Sequence, residues 1–535
     1  MSVREPGMPT RRALLAGGAA ALAIARPSIS LAADKRVVKF VPQGDLAVVD
    51  PIWTTATVTR NHAFLVYDTL FGQDESYRAQ PQMAAGAATD ADAKTWTITL
   101  RDGLKFHDGT PVLARDCVAS LKRWGKRDSF GQTLMGVTDE LSAVDDKTLR
   151  FRLKQPFPLL PDALAKMTAF VPVIMPERLA SIDAFTQINE VVGSGPFRFV
   201  ASERQSGSRA VYEKFAGYVP RSDGKPGRTA GPKVVHFDRV EWHTLPDPAT
   251  AAAALQSGEI DWVEQPLPDM LPILAKNPEI AVEIKETTGS IAIMRMNHLH
   301  PPFDNPAVRR AILLAVNQAD FMEAVGGADK TLWRTGVGVF PPDTPMASAA
   351  GMEVLNSPRD LAKAKQALAE AGYKGEKVVL LGVSDLANLK AECEVGGDML
   401  TRLGMNVDYQ VMDWGTVVTR RAKKEPPTQG GWNVFFTGWN GIDILDPVGH
   451  LSLRGNGAAA WPGWPEAPKI EALRDAWMAA PDLATQQKVA AEIQQQVLID
   501  VPYVPLGQYF QPVGYRRSLE GMLPSFPTFW NVKRA

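Results

Sequence analysis

Residues 301–318, PPFDNPAVRRAILLAVNQ, read as a turn feeding a helix. Asn305 suits the N-cap, because its side-chain oxygen can accept a free backbone N–H of the first turn. Pro306 takes the first helical position, where its missing N–H costs nothing. Val308, Ile312, Ala315 and Val316 recur at helical spacing and form one apolar face, with Arg309 and Arg310 off it. A helix capped this firmly and apolar along one side belongs to a globular core.

The same signals recur along the chain. Asp247 and Pro248 open a helix that Gly258 ends, and strands at 235–242 and 260–263 flank it. Such a strand–helix–strand unit favours parallel pairing. Ser357 and Pro358 open another helix, with Leu361, Ala364 and Leu368 inside and Gly372 past its end. Strands at 378–383 and 407–412 bracket a helix at 391–403 that stops at Gly404. Earlier, the pattern changes. Trp96, Ile98 and Leu100 alternate, as do Leu149, Phe151 and Leu153, and Asp-Gly pairs at 102 and 108 mark turns. These predict an α+β unit with antiparallel strands. A strand at 37–41, helices at 60–71 and 116–124, and a tight Gly193-Ser194-Gly195-Pro196 loop before a strand at 197–200 complete the first half. Residues 220–232 read as a flexible surface loop, and 505–515 as strand returning to the first lobe. At 535 residues the chain is too long for one core; a norm of roughly 150 residues per domain predicts about three lobes.

A formal net charge of −1 argues against a nucleic-acid binder, which carries a basic excess. Cys117 and Cys393 match no metal spacing; in an exported protein they could pair, while Cys117 also reads as a small buried hydrophobe on a helix. Of 13 tryptophans, Trp432, Trp439, Trp461 and Trp464 sit beside Gly or Pro in loops. Tryptophans clustered in loops suit a pocket wall that grips flat or apolar groups.

The N-terminus reads as an address. Arg11 and Arg12 precede an apolar stretch, 13–25, too short for a bilayer that needs about 20 residues. Ser30-Leu31-Ala32 offers a small-x-small cleavage site, so residues 1–33 are expected to be a secretory signal. The run 10–15, TRRALL, resembles a twin-arginine export motif. The mature protein is expected to be periplasmic.

Blocks spread over the mature chain then carry a family resemblance. They are VYDTLF at 66, TWTITLRDGLKFHDGTPVLARD at 95, GSGPF at 193, NHLHPPFDNPAVRRAILLAVNQ at 297 and TGWNGIDILDPVGHL at 437. In this order they resemble the periplasmic solute-binding proteins of peptide-type ABC importers, the dipeptide/oligopeptide-binding family (bacterial solute-binding protein family 5). The resemblance implies an α/β, two-lobed periplasmic binding protein fold (type II, cluster C) with an extra α+β subdomain in the N-terminal lobe. Lobe I would comprise 34–57, 186–287 and 506–535, the inserted subdomain 58–185, and lobe II 288–505. A ligand, by family default a short peptide, would be buried between closing lobes and passed to an ABC permease in the cytoplasmic membrane. Opines, oligosaccharides, organic acids and metal chelates are the alternative ligands. The resemblance implies no enzyme activity, no cofactor, no nucleic acid and a monomer.

Family members hold a peptide largely by backbone groups, and an acidic residue often pairs with its amino terminus. The matching block here is Trp439-Asn440-Gly441-Ile442-Asp443-Ile444-Leu445-Asp446-Pro447, and Asp443 is its best candidate. Ile442, Ile444 and Leu445 depart from the more acidic pattern and favour a more hydrophobic ligand. The alternative leaves Asp443 solvated and makes Asp446 a helix cap. Trp53, Thr54 and Thr55 follow the first strand, where lobe I would meet ligand. Trp414 lies at a strand end, a usual place for pocket residues. Arg295 and Asn297 sit at the crossover into lobe II; Arg295 would pair with a ligand carboxylate or bridge the hinge. His107 belongs to a turn common in the family. His298 and His300 lack a third metal ligand of suitable spacing.

Two other classes share parts of this reading. An exported hydrolase would show a nucleophile or metal motif, and G-x-S-x-G, H-E-x-x-H, C-x-x-C and the Walker phosphate loop do not occur. A chemosensory protein that presents ligand to a receptor would share the fold.

Overall fold

Three sheets organise the computed structural model, which describes residues 36–535. Residues 1–33, expected to be a secretory signal, lie outside the described residues.

The first sheet has seven strands, in the order Ile280–Glu283, Val513–Arg516, Trp262–Val263, Val37–Val41, Arg239–His243, Arg209–Lys214 and Phe197–Phe199. Val37–Val41 lies at its heart and runs parallel to both Arg239–His243 and Trp262–Val263. The helix between those two, Pro248–Ser257, starts where Asp247 accepts the Thr250 N–H and ends at left-handed Gly258. Here the parallel expectation holds, with the first strand of the chain laid between the pair. The strand expected over 235–242 is shorter: only Arg239–His243 pairs.

The second sheet orders Trp333–Arg334, Tyr503–Tyr509, Ser290–Met296, Val434–Asn440, Lys377–Val383 and Asn406–Met412. The helix Ala387–Leu403 joins its last two strands, which are parallel, and closes at left-handed Gly404. The helix Pro306–Ala315 starts as read, with Asn305 accepting the Ala307 N–H at 2.9 Å. Arg309, read as lying off the apolar face, is buried instead. Its guanidinium donates to the carbonyls of Phe303, Asp304 and Asp500. The helix expected to open at Ser357 and Pro358 is Leu361–Glu370, capped by Asp360 and not by Ser357.

The third sheet is four-stranded and antiparallel: Ala84–Thr89, Thr95–Leu100, Thr148–Leu153, Thr138–Ala143. Ile98, Leu100, Leu149, Phe151 and Leu153 point into its core, with Cys117 of the helix Ala114–Trp124. Both cysteines are buried and free.

Two interlocked turns hold this unit to the first sheet. The Gly193 N–H donates to His107 Nδ1 at 3.3 Å, and His107 Nε2 meets the Gly195 carbonyl at 3.0 Å. An acceptor Nδ1 and a donor Nε2 describe a neutral ring, and burial lowers its pKa to about 4. The Gly195 N–H in turn donates to the Val66 carbonyl at 2.8 Å. The GSGPF block is glycine-rich because it lies directly on the backbone of Val66 and Tyr67.

The helix expected at 60–71 runs instead over Thr57–Val66, and Phe71–Gln73 is a strand. Residues 222–226 are exposed, but 227–231 are not the mobile loop their composition suggested. Arg228 lies 4.1 Å over the Tyr77 ring, and Thr229 Oγ1 accepts the Gln73 N–H. Lys233 ends the segment in a fully buried 2.7 Å pair with Asp68.

The strand material read across 505–515 is two strands. Tyr503–Tyr509 pairs with Ser290–Met296 in the second sheet, and only Val513–Arg516 joins the first. The chain therefore crosses between the two large sheets twice, at 284–289 and at 510–512. The crossings run side by side, because Glu283 pairs with Val513 on one bank and Ser290 with Tyr509 on the other.

Candidate ligand cleft

The strand Val434–Asn440, an interior strand of the second sheet, carries Trp439 and Asn440 at its C-terminal end, and the 3-10 turn Gly441–Ile444 follows. Gly441 allows this turn. Its N–H donates to the Gly289 carbonyl at 2.7 Å, and a Cβ there would strike the Thr288 carbonyl oxygen. Pinned to the crossing at 284–289, the turn aims Asp443 between the lobes.

Asp443 lines a cavity of about 580 Å³. Residues from all three sheet units meet there: Thr55 from the first, Arg127 and Lys166 from the four-stranded unit, Asn388, Trp439 and Tyr509 from the second. Asp443 is partly exposed, to the cavity. Its Oδ2 accepts from Asn440 Nδ2 at 3.2 Å, and no Lys or Arg of the described residues is within ion-pair distance. Burial raises its pKa, and the charges of Arg60 and Lys166 oppose the rise from farther away. Arg60 is itself buried, donates to Asn61 Oδ1 at 3.0 and 3.2 Å, and lies 4.3 Å over the Phe526 ring. Lys166 is already taken by Asp128 at 2.7 Å. Asp443 is thus a half-buried carboxylate that faces the cavity without its own cation.

Asp446 turns the other way. Its Oδ1 accepts the N–H groups of Val448 and Gly449, so it closes a local turn and does not cap a helix.

Of the other expected contacts, Thr55, Trp414, Trp439 and Asn440 line the cavity with Asp443. Trp53 stands behind it. Its carbonyl accepts from Arg127 Nη2 at 3.2 Å, and its ring supports the Arg127 guanidinium at 5.2 Å. Thr54 Oγ1 accepts the Ala56 N–H and shapes the turn before the helix Thr57–Val66.

Arg295 and Asn297 lie away from the cavity. Arg295 is wholly buried, and its guanidinium donates to the carbonyls of Pro462, Ser452, Pro502 and Trp461. Burial lowers its pKa to about 9. With its donors spent on backbone it neither faces a ligand carboxylate nor bridges the hinge; it holds the loop that presents Trp461. Asn297 plays a similar part, donating to the Trp432 carbonyl and accepting the Leu299 N–H.

The four tryptophans read as lying in loops divide, and Trp439 stands on the strand Val434–Asn440 instead. Trp432 and Trp464 are buried against each other at 5.9 Å. Trp439 and Trp461 meet edge-on at 5.4 Å and face the cavity. Trp414 joins them under the Arg421 guanidinium, 5.1 Å from its ring.

Sequence reasoning missed Arg127, Lys166, Asn388, Arg454 and Tyr509. Lys166 had a signal, since it and Asp162 are the only charged residues in the apolar run 156–176. Tyr509 donates no such hint; it is placed by strand pairing, and its hydroxyl accepts from Asn388 Nδ2 at 2.8 Å.

A second cavity of about 620 Å³ adjoins the first. Lys166, Thr168, Asp443 and Gly449 belong to both walls. Among the described residues no cluster of His, Cys, Asp and Glu is arranged to hold a metal ion.

Comparison with known proteins agrees with this architecture. Residues 78–460 match the family model for bacterial extracellular solute-binding proteins, family 5. A Sinorhizobium fredii protein described as a probable peptide ABC transporter periplasmic-binding protein, y4tO, is 37% identical over 97% of this chain and 98% of its own. Among solved structures, AgaA from A. tumefaciens R10 in complex with agropinic acid superposes with a TM-score of 0.76 at 24% identity, over 93% of this chain and 99% of that one. DppA from Helicobacter pylori in complex with the peptide STSA does so with a TM-score of 0.76 at 22% identity, over 93% and 98%. The two-lobed fold is shared.

Proposed function

Because the chain belongs to the family 5 bacterial extracellular solute-binding proteins, we propose that it captures a short peptide between its lobes and delivers it to the permease of an ABC importer. In this reading it works in the periplasm as a monomer, binds without catalysing a reaction, and has no nucleic-acid partner. The paired crossings at 284–289 and 510–512 form the hinge, and closure buries the ligand. Lobe I is then 36–57 with 186–287 and the C-terminal strands, the inserted subdomain is 58–185, and lobe II is the remainder.

One observation carries the ligand class: Asp443 faces the cavity as a half-buried carboxylate with no ion-pair partner among the described residues. A ligand ammonium group supplies the missing charge, and a charge-assisted hydrogen bond of this kind is among the strong ones. Arg127 lines the same cavity, has no carboxylate partner among the described residues and suits the carboxylate at the other end of a peptide; Arg454, also in this wall, is already paired with Glu471 at 3.4 Å. The relative y4tO, named for peptide transport, supports the same class. An opine, which also joins amine and carboxylate groups, is the second reading, supported by the likeness to AgaA.

Native mass spectrometry of the purified protein tests the proposal. The protein is unfolded, refolded and offered a mixture of di- to pentapeptides. Complexes at peptide masses are expected. A discrete non-peptide mass on the protein as purified, with no peptide taken up afterwards, rejects the peptide assignment.

A further inference from the structure

The two cavities meet at the carboxylate expected to hold the ligand, and their walls differ. On one side stand Arg127, Arg454 and Asn388, polar or cationic, among the cavity tryptophans. On the other stand Leu159, Met167, Met346, Leu445 and Trp477. Trp477 Nε1 points at Met346 Sδ, 3.2 Å away, so its one donor is used within the wall. The result is a wall that is apolar over most of its area, with Gln73, Arg78, Gln486 and Gln487 as polar members. Two thioethers line it, and methionine adapts its shape to what it packs against.

Each cavity alone falls within the roughly 300–1,000 Å³ that holds a drug-sized ligand. Together they are more than a backbone chain fills. A ligand with its amine at the shared Asp443 has room for one arm on each side. The arm bearing a carboxylate belongs with Arg127. The other arm meets the apolar wall.

Resting on the peptide reading above, we propose that the second cavity is a selectivity chamber for the first side chain of the peptide, and that it takes a large apolar group such as Leu, Met or Phe. Ile442 and Leu445 are part of its lining, so the apolar insertions in the 439–447 block have a direct use. Asp446 and Asp162 also stand in this wall. Asp446 spends Oδ1 on two backbone N–H groups, and burial raises Asp162 to about 6 with Asp446 adding to the rise. These acids make a lysine-first peptide the competing occupant.

Competition native mass spectrometry decides between them. The protein is offered equimolar X-Ala and X-Ala-Ala peptides with X as Gly, Leu, Phe or Lys. Leu- and Phe-first complexes are expected to exceed Gly-first complexes by about tenfold or more, as apolar burial of several methylenes allows. Met346→Trp narrows the chamber and is expected to collapse that ratio while Gly-first binding remains. Leu483→Trp, at an exposed rim position of the same wall, serves if the first variant does not fold. Gly-first peptides binding as well as Leu-first ones, a preference for Lys-first peptides, or an unchanged ratio in a folded variant overturns the inference. Absence of every peptide complex instead rejects the peptide reading on which it stands.

Discussion

Asp50 holds Arg123 through two parallel hydrogen bonds, Nη1 to Oδ1 at 3.1 Å and Nη2 to Oδ2 at 2.8 Å. Both side chains are out of water. Asp50 leads out of the first sheet, and Arg123 sits on the helix that backs the four-stranded one. Asp50 also accepts the N–H groups of Ile52 and Ile188, so one carboxylate gathers three distant pieces of chain.

Arg123→Met leaves that carboxylate buried without its cation, a change that costs about 3–5 kcal/mol. Urea unfolding should show the loss, and adding Asp50→Asn should restore part of it. A single variant as stable as the parent protein would contradict the role given to this pair.

Asp443→Asn keeps the shape of the cleft and removes the charge. For an amine-bearing peptide the loss is about 1.5–3 kcal/mol, the worth of a hydrogen bond to a charged group. Titration calorimetry reads it directly. The pH dependence has a defined sign. Burial raises the Asp443 pKa above its ordinary 3.8, and only the ionised form pairs with an ammonium. Affinity should therefore fall on acidification, beginning at a pH above the usual aspartate range. The Asn variant should show no such fall, and equal pH profiles would remove Asp443 from the site.

Glu392 is wholly buried on the helix Ala387–Leu403, and neither carboxylate oxygen has a hydrogen-bond partner among the described residues. Burial raises its pKa from 4.5 to about 8. Between those values the unfolded chain has lost this proton and the folded chain keeps it. The folded state binds more protons there, so its stability falls as pH rises through the window. The full effect is on the order of 5 kcal/mol, at about 1.4 kcal/mol per unit. Glu392→Gln stays neutral and removes the slope. Unfolding midpoints of the two proteins should converge near pH 5 and separate near pH 8, with the variant the more stable; parallel curves would speak against a neutral Glu392.

Gly193→Ala places a methyl group against the Val66 carbonyl, and Gly195→Ala places one 2.7 Å from its carbonyl carbon. Backbone cannot move aside as a side chain can, so each should cost about 1–3 kcal/mol as overpacking does. Thermal unfolding measures it. Gly86→Ala, with nothing near its Cβ, is the matched control.

The amino-acid sequence by itself determined the local grammar and the family. Asn305 with Pro306, Asp247 with Gly258, and Gly404 act within one helical turn, so residues a few positions apart carry the whole signal. The 439–447 block likewise marked a segment of the cleft, because Trp439, Asn440 and Asp443 occupy one short strand and turn. Tertiary structure alone decided which polar groups face the cavity. Arg295 and Arg309 look like Arg127 in sequence. The first two are surrounded by carbonyls from residues 452–502 and 303–500 respectively, while Arg127 lines the cleft above an aromatic floor. It also decided that 503–509 belongs to one sheet and 513–516 to the other. Periodicity reports that a strand has an apolar face, but the partner of that face lies hundreds of residues away, and only packing selects it.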